Sequence, residues 1–311
     1  MKNKILLLVI IISTIVYVDG YAQQDAQYTQ YMYNTMSVNP AYAGSREVLS
    51  ITGLYRTQWV GLDGAPKTQT LGIHSPIGSG EKLGIGLSIV NDKIGPTRET
   101  FFDVNFSYTF KTSDLGRFSF GLRGGGHLLD VCYSCLNQYN PGDELLQSNI
   151  ENKFSPNVGV GLYYRHGDKW YLGLSAPSLL ETEHLDRVTL STAKERIHFN
   201  LIAGYVFDLT KNLKLKPAVL FKAVNGAPLQ ADLTANFLIN DKLTLGAAYR
   251  WSAALSGLVG FQITEGLMIG FAYDRETTEL GKTKYNDGSY ELMLRFELFK
   301  KDSKIISPRF F

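Results

Sequence analysis

Few residues in this chain stand at spacings that do chemistry. Cys132-Tyr-Ser-Cys135 is its only pair of thiols. A redox C-x-x-C pair opens a helix in a thioredoxin-like unit, and no such unit is legible here. A structural zinc needs a second ligand pair, which is also missing. In an oxidising compartment the two sulfurs close a local disulfide, with idle thiols as the alternative. GLRGGGHLL, residues 121–129, is rich in glycine but lacks the Gly-Lys-Ser/Thr end of a phosphate loop. Its small residues are expected to make room inside a structure or to let a strand curve. The five histidines, His74, His127, His166, His184 and His198, are scattered, none beside another at ligand spacing. Asp274, Arg275, Glu276 and Glu279 read as a solvated rim. No nucleophile and base are placed together by the sequence. The expectation is a protein that is not an enzyme and holds no cofactor and no metal.

The remaining charges are patterned. Arg56, Arg123, Arg165, Arg250 and Arg295 fall on the polar faces of alternating stretches, as do Asp103, Glu291 and Glu297. In FFDVNFSYTF, Phe102, Val104, Phe106, Tyr108 and Phe110 oppose Asp103, Asn105, Ser107 and Thr109. In YELMLRFEL, Tyr290, Leu292, Leu294, Phe296 and Leu298 oppose Glu291, Met293, Arg295 and Glu297. IHFNLIAGY and LTLGAAYRW repeat the pattern. Side chains on a strand alternate with period two, so these are strands with one apolar face, often ending in an aromatic. The apolar face packs a core in a soluble sandwich and meets lipid in a membrane barrel. Periodicity alone does not separate the two.

Connection lengths do. About fourteen strands are predicted, over 47–60, 67–76, 82–92, 99–111, 116–129, 154–166, 168–176, 194–208, 211–223, 229–239, 241–252, 255–264, 266–276 and 288–299. Every second connection is tight, whereas 130–153, 177–193 and 277–287 are long. Short turns at one end and long loops at the other are the mark of an outer-membrane β-barrel, with both termini beside the short, periplasmic turns. The fold class expected is therefore an all-β, transmembrane antiparallel barrel spanning 47–299. A charged, mostly paired lumen is expected inside it.

The start of the chain agrees. Lys2 and Lys4 precede an apolar run from Ile5 to Val18, and Gly20-Tyr21-Ala22 is a small-x-small cleavage site. This reads as a signal peptide over 1–22, cut after Ala22, with no cysteine there to carry a lipid. The destination is the outer membrane of a Gram-negative cell. The net charge of +2 gives no argument for nucleic acid.

Residues 23–46 are neither core helix nor wall strand. Tyr28, Tyr31, Met32 and Met36 share one helical stripe, Asp25 is placed to cap it, and Asn39-Pro40 stops it. A short helix and a turn are expected, in the periplasm or the lumen. It either packs to close the periplasmic mouth or fill part of the lumen, or docks a periplasmic partner. Residues 300–311 are read as a periplasmic tail.

The same residues carry a resemblance. DAQYTQYMYNTMSVNPAYAGS is similar to the N-terminal signature of the PorP/SprF family of the type IX secretion system. LYRTQWVGLDGAPKTQTLGIHSPI (54–77), LGIGLSIVNDKIGP (83–96) and the closing SPRFF continue it. The resemblance implies an outer-membrane barrel that works with the periplasmic side of the secretion machinery. It also implies a secreted surface partner carrying a C-terminal sorting domain, a gliding adhesin being one such cargo. Tyr28, Tyr31, Met32, Asn39, Pro40, Tyr42, Arg56 and Trp59 are the partner-binding candidates it points to, with Arg56, Gln58 and Trp59 near the outer end of the first hairpin. A general channel for small solutes is the alternative that the barrel pattern leaves open.

Overall fold

The computed structural model describes residues 26–78, 82–136, 148–180, 197–224, 227–299 and 310. Fifteen strands form one antiparallel sheet. They are β1 (Leu49–Thr57), β2 (Lys67–Ile77), β3 (Leu83–Ile94), β4 (Thr97–Lys111), β5 (Gly116–Val131), β6 (Ile150–His166), β7 (Trp170–Ala176), β8 (His198–Tyr205), β9 (Phe207–Thr210), β10 (Leu213–Val224), β11 (Gln230–Ile239), β12 (Leu243–Arg250), β13 (Ala254–Thr264), β14 (Leu267–Glu276) and β15 (Ser289–Leu298). β8 and β9 both pair with β10 and are one wall strand interrupted at Val206, so the wall has fourteen. β15 pairs with β1 from Leu49↔Leu298 to Thr57↔Tyr290 and closes the barrel. Closure removes the open sheet edge, which a bilayer does not tolerate.

The apolar face points outward. Leu71, Leu87, Phe106, Phe120, Leu122, Leu245, Phe271 and Leu294 are all exposed on the outer wall. Water does not tolerate an apolar band that encircles a molecule; lipid does. Aromatic rings gather at both rims. Phe110 and Phe118 (5.3 Å), Tyr164 and Trp170 (5.0 Å), and Tyr205 and Phe207 (4.5 Å) lie by the short turns. Tyr273 and Tyr290 (5.2 Å) lie by the long loops. These are the interfacial girdles expected of a membrane barrel. No described helix is long and apolar enough to cross a membrane.

The long hairpin of β5 and β6 extends further outward than the sequence pattern suggests. β5 reaches Val131 and β6 begins at Ile150, where 129 and 154 were expected. The ladder continues with charged pairs such as Arg98↔Asp130, because strand pairing does not stop where the lipid band ends. Cys132 and Cys135 follow β5 at once and are joined as a disulfide, with their Cα atoms 5.4 Å apart.

Residues 26–48 occupy the lumen. They hold a 3-10 turn at Tyr31–Tyr33, one short helix α1 (Thr35–Val38) and a second 3-10 turn at Pro40–Tyr42. The single stripe-bearing helix expected from Tyr28, Tyr31, Met32 and Met36 is thus broken into pieces. The wall supplies donors that compete for its carbonyls: Arg123 donates to Met36 O (2.7 Å), Ser175 to Val38 O (2.8 Å) and Ser107 to Ala43 O (2.6 Å). A helix surrounded by such donors has no need to satisfy its own carbonyls. The stop is where the sequence puts it. Asn39 accepts from Ala41 N (3.0 Å) and Pro40 opens the next turn. Asp25 lies outside the described residues.

Candidate functional site

The lumen and the segment that fills it form the site. The wall carries a bed of glycines on its inner face. A methyl group added at Gly84 would overlap Ala43 O, at Gly86 Met36 Sδ, at Gly121 the backbone of Ala41, at Gly161 Asn39 Oδ1, and at Gly270 Gln30 Oε1. These close approaches need a residue without Cβ. The room-making role read for GLRGGGHLL applies at Gly121.

Polar contacts fix the plug along its length. At the long-loop end, Tyr28 meets Thr70 (hydroxyl oxygens 2.8 Å apart). Thr29 N and Gln30 N donate to Glu291 (3.0 and 2.8 Å), and Thr29 Oγ1 donates to Asp274 (2.7 Å). Arg56 sits between the two carboxylates, with Nη2 2.6 Å from Asp274 Oδ2 and Nη1 3.2 Å from Glu291 Oε2. Its Nη1 also donates to Thr29 Oγ1 (3.1 Å). Halfway down, Asn39 Nδ2 donates to Leu162 O (2.9 Å). Tyr42 meets His74 and Tyr163 edge-on, at 5.5 and 5.4 Å between ring centroids. At the short-turn end, Arg46 binds Glu297 (2.6 and 3.0 Å) and Glu47 pairs with Arg165. The lumenal arginines are paired, as expected: Arg250 with Asp232 (2.6 Å), Arg123 with Asp103 (3.8 Å) and Arg295 with Glu297 (3.8 Å) complete the set.

The plug therefore runs, in chain order, from the long-loop end down to the short turns, where β1 begins. A cavity of about 90 Å³ remains beside it, bordered by Tyr28, Val38, Phe101, Arg123, Asn200 and Lys222. That is room for several waters. Among the described residues, no three His, Cys, Asp or Glu side chains converge as metal ligands would.

The structure brings seven of the eight partner-binding candidates into this interior. Tyr28, Tyr31, Met32, Asn39, Pro40 and Tyr42 are buried against the wall, and Arg56 is wholly enclosed. Of the two places read for residues 23–46, periplasm or lumen, the described part from residue 26 lies in the lumen as a plug. Polar Tyr, Gln and Asn serve either purpose by composition; what decides is that the closed wall encloses them. Trp59 differs. It lies half-buried at the outer end of β1 with φ 48°, its Nε1 donating to Glu276 (3.2 Å). Its loop is tied on both sides, Val60 N to Gly288 O (2.9 Å) and Gly95 N to Gly64 O (2.8 Å).

One reading of a polar residue is corrected. Asp274 belongs to no solvated rim: the strand period continues to β14's last turnward residues, so Asp274 points inward to Arg56 while Arg275 points out. Of the stretch 300–311 read as a periplasmic tail, Phe310 is buried, and the remaining residues lie outside the described ones. Sequence reasoning missed Thr29, Gln30, Lys216 and the glycine bed. The available signal for the bed was the G-x-G pairs Gly84/Gly86 and Gly159/Gly161 in alternating strands.

The chain is similar in part to outer-membrane proteins of solved structure. The Acinetobacter baumannii outer membrane protein Omp33 aligns at a TM-score of 0.49 and 9% identity, covering 81% of this chain and 98% of that one. A Pseudomonas aeruginosa FadL homologue aligns at 0.47 and 14%, covering 85% and 94%. The Ralstonia pickettii toluene transporter TbuX aligns at 0.48 and 9%, covering 84% and 92%. At such identities and scores the likeness says nothing of function. A search among curated proteins found no match. The family model described as "Type IX secretion system membrane protein PorP/SprF" matches residues 20–296. A match over nearly the whole barrel, on a closed outer-membrane wall, makes this chain a member of the PorP/SprF family and an outer-membrane component of the type IX secretion system.

Proposed function

We propose that this protein, once its signal peptide is removed after Ala22, acts without enzymatic activity to support secretion or surface attachment of one partner protein carrying a C-terminal sorting domain. A gliding adhesin-like protein is a cargo of that class. The observation that carries the reading is the plugged lumen: residues 26–48 fill the barrel and are held by Arg56, Asn39 and Arg46 at three levels. A barrel so filled serves as an anchored platform rather than as a route for free diffusion, which speaks against the solute channel. The machinery is met from the periplasmic side through the short turns. The tied loop around Trp59 is the outer surface offered to the exported partner, because a pre-ordered loop loses little entropy on binding.

A clean deletion, followed by mass spectrometry of surface and medium proteins, tests this. Loss of one or a few proteins with C-terminal sorting domains, with general export intact, is the expected result. Loss of every such protein would make the barrel a core part of the machine. An unchanged surface would refute the reading. Planar-bilayer conductance tests the channel separately: the wild-type barrel is expected to be nearly silent.

A further inference from the structure

The two ends of the plug are secured differently. The outer end is closed by buried carboxylates around Arg56. The short-turn end holds an excess of cations: Lys216 and Arg295 both lie over the ring of Tyr33, each at 5.4 Å, and Arg295 and Arg46 share Glu297. Lys216 belongs to β10 near its short-turn end and is wholly enclosed. The atom that accepts its hydrogen bond is not in the wall. It is the carbonyl oxygen of Phe310, 2.5 Å from Nζ. The Phe310 ring also lies against the same ammonium, 4.5 Å from Nζ to centroid. A buried ammonium needs such partners, and an aromatic face supplies part of what water would. Phe310 follows β15, which ends at Leu298, yet it is buried against the plug.

Its position is at the mouth. Phe310, Tyr33, Thr244, Gln262 and Arg295 border a crevice of about 20 Å³ together with Asp241 and Lys242 of the turn between β11 and β12. That turn is one of the short ones, so the crevice faces the periplasm.

We propose that Phe310 is a latch that locks the lumenal plug at the periplasmic mouth, its carbonyl and ring seated on Lys216 and, through it, on Tyr33. The occupant of this site is Phe310 of the same chain. Because the latch is one residue at a water-facing mouth, it is the contact that yields first, and opening of the lumen starts there. The periplasmic machinery thus meets the latch before it meets the plug. The inference rests on these contacts and not on which cargo is served, so it stands or falls apart from the secretion phenotype.

The test uses the full chain in isolated outer membranes. Thr244→Cys places a thiol in the crevice that Phe310 covers; among the described residues the protein has no other free thiol. Labelling with a membrane-impermeant maleimide is timed with and without F310S, with heat-modifiable gel mobility confirming a folded barrel. F310S is expected to speed labelling by about tenfold or more, as a contact that protects the crevice is lost. In a Lys216→Met background, F310S is expected to add little, since the seat is already gone. Unchanged labelling in folded F310S barrels would overturn the latch. So would an equal F310S effect with and without Lys216, which would leave Phe310 as packing alone. Should F310S fail to assemble, Phe310→Leu, which like F310S keeps the main-chain carbonyl and loses the ring but retains apolar bulk, is put through the same comparison with the same two criteria.

Discussion

Arg56→Met strikes the outer lock of the plug. Arg56 is 0% exposed and faces two buried carboxylates, Asp274 at 2.6 Å and Glu291 at 3.2 Å. Two unit charges about 4 Å apart interact by ~4 kcal/mol at an effective dielectric of 20. Desolvation of the guanidinium offsets part of the gain from two such contacts. Removing one partner of a buried ion cluster then costs about 3–5 kcal/mol, because the remaining charges lose their counter-ion. Thr29 and Gln30 still donate to Glu291, but Asp274 and Glu291 now repel across the space the guanidinium filled. The first part of the plug to move is residues 28–30. The assay is paired: urea unfolding in lipid vesicles and single-channel conductance. R56M is expected to lower stability by that amount and to turn a silent barrel into one with discrete conductance steps. R56K keeps the charge but not the fork that bridges both carboxylates, and falls between. K282A breaks the exposed Lys282–Glu279 pair (2.6 Å) and is expected to change stability by less than about 1 kcal/mol. An R56M barrel as stable and as silent as the wild type would refute the assignment of Arg56 as a lock.

Gly121→Val drives a branched side chain into the Ala41 backbone, so the plug leaves its bed while the outer wall stays intact. Rising conductance with unchanged heat-modifiable mobility is the expected pair of readings. Asn39→Ala removes the donor to Leu162 O and the acceptor for Ala41 N, and is expected to cost about 1–3 kcal/mol in vesicle unfolding. Leu122→Arg puts a charge on the lipid face at a position 62% exposed, at a cost of about 2–4 kcal/mol near the bilayer midplane, measured in the same unfolding assay. Cys132→Ser with Cys135→Ser removes a bridge that lies beyond the end of β5, and the doubly substituted chain is expected to assemble at wild-type levels.

The wall was legible because its rule is local. Each strand declares two faces within a few residues, and turn lengths declare two ends. The strand boundaries follow this within a few residues. They fall short where ladders outrun the lipid band, as at Val131 and Ile150, and overrun where the chain bends, as after Thr57 and at Val206 within 194–208. The plug was half legible. Asn39-Pro40 marks its turn in any setting, but Tyr31 and Met32 suit an amphipathic helix and a filled lumen equally well. The glycines at 84, 86, 121, 161 and 270 announced small residues on inner faces without saying what they make room for.

What the sequence by itself determined is the exported barrel: period two, alternating loop lengths and an apolar leader each follow from neighbouring residues. What tertiary structure alone decided is the content of the lumen. Arg56 meets Asp274 and Glu291, Arg46 meets Glu297, and Lys216 meets Phe310 only because the wall closes between β15 and β1 and brings distant parts of the chain into one space. A polar inner face satisfied by water and one satisfied by the protein's own backbone have the same alternation. Only the closed wall, with its donors fixed around residues 26–48, selects between them.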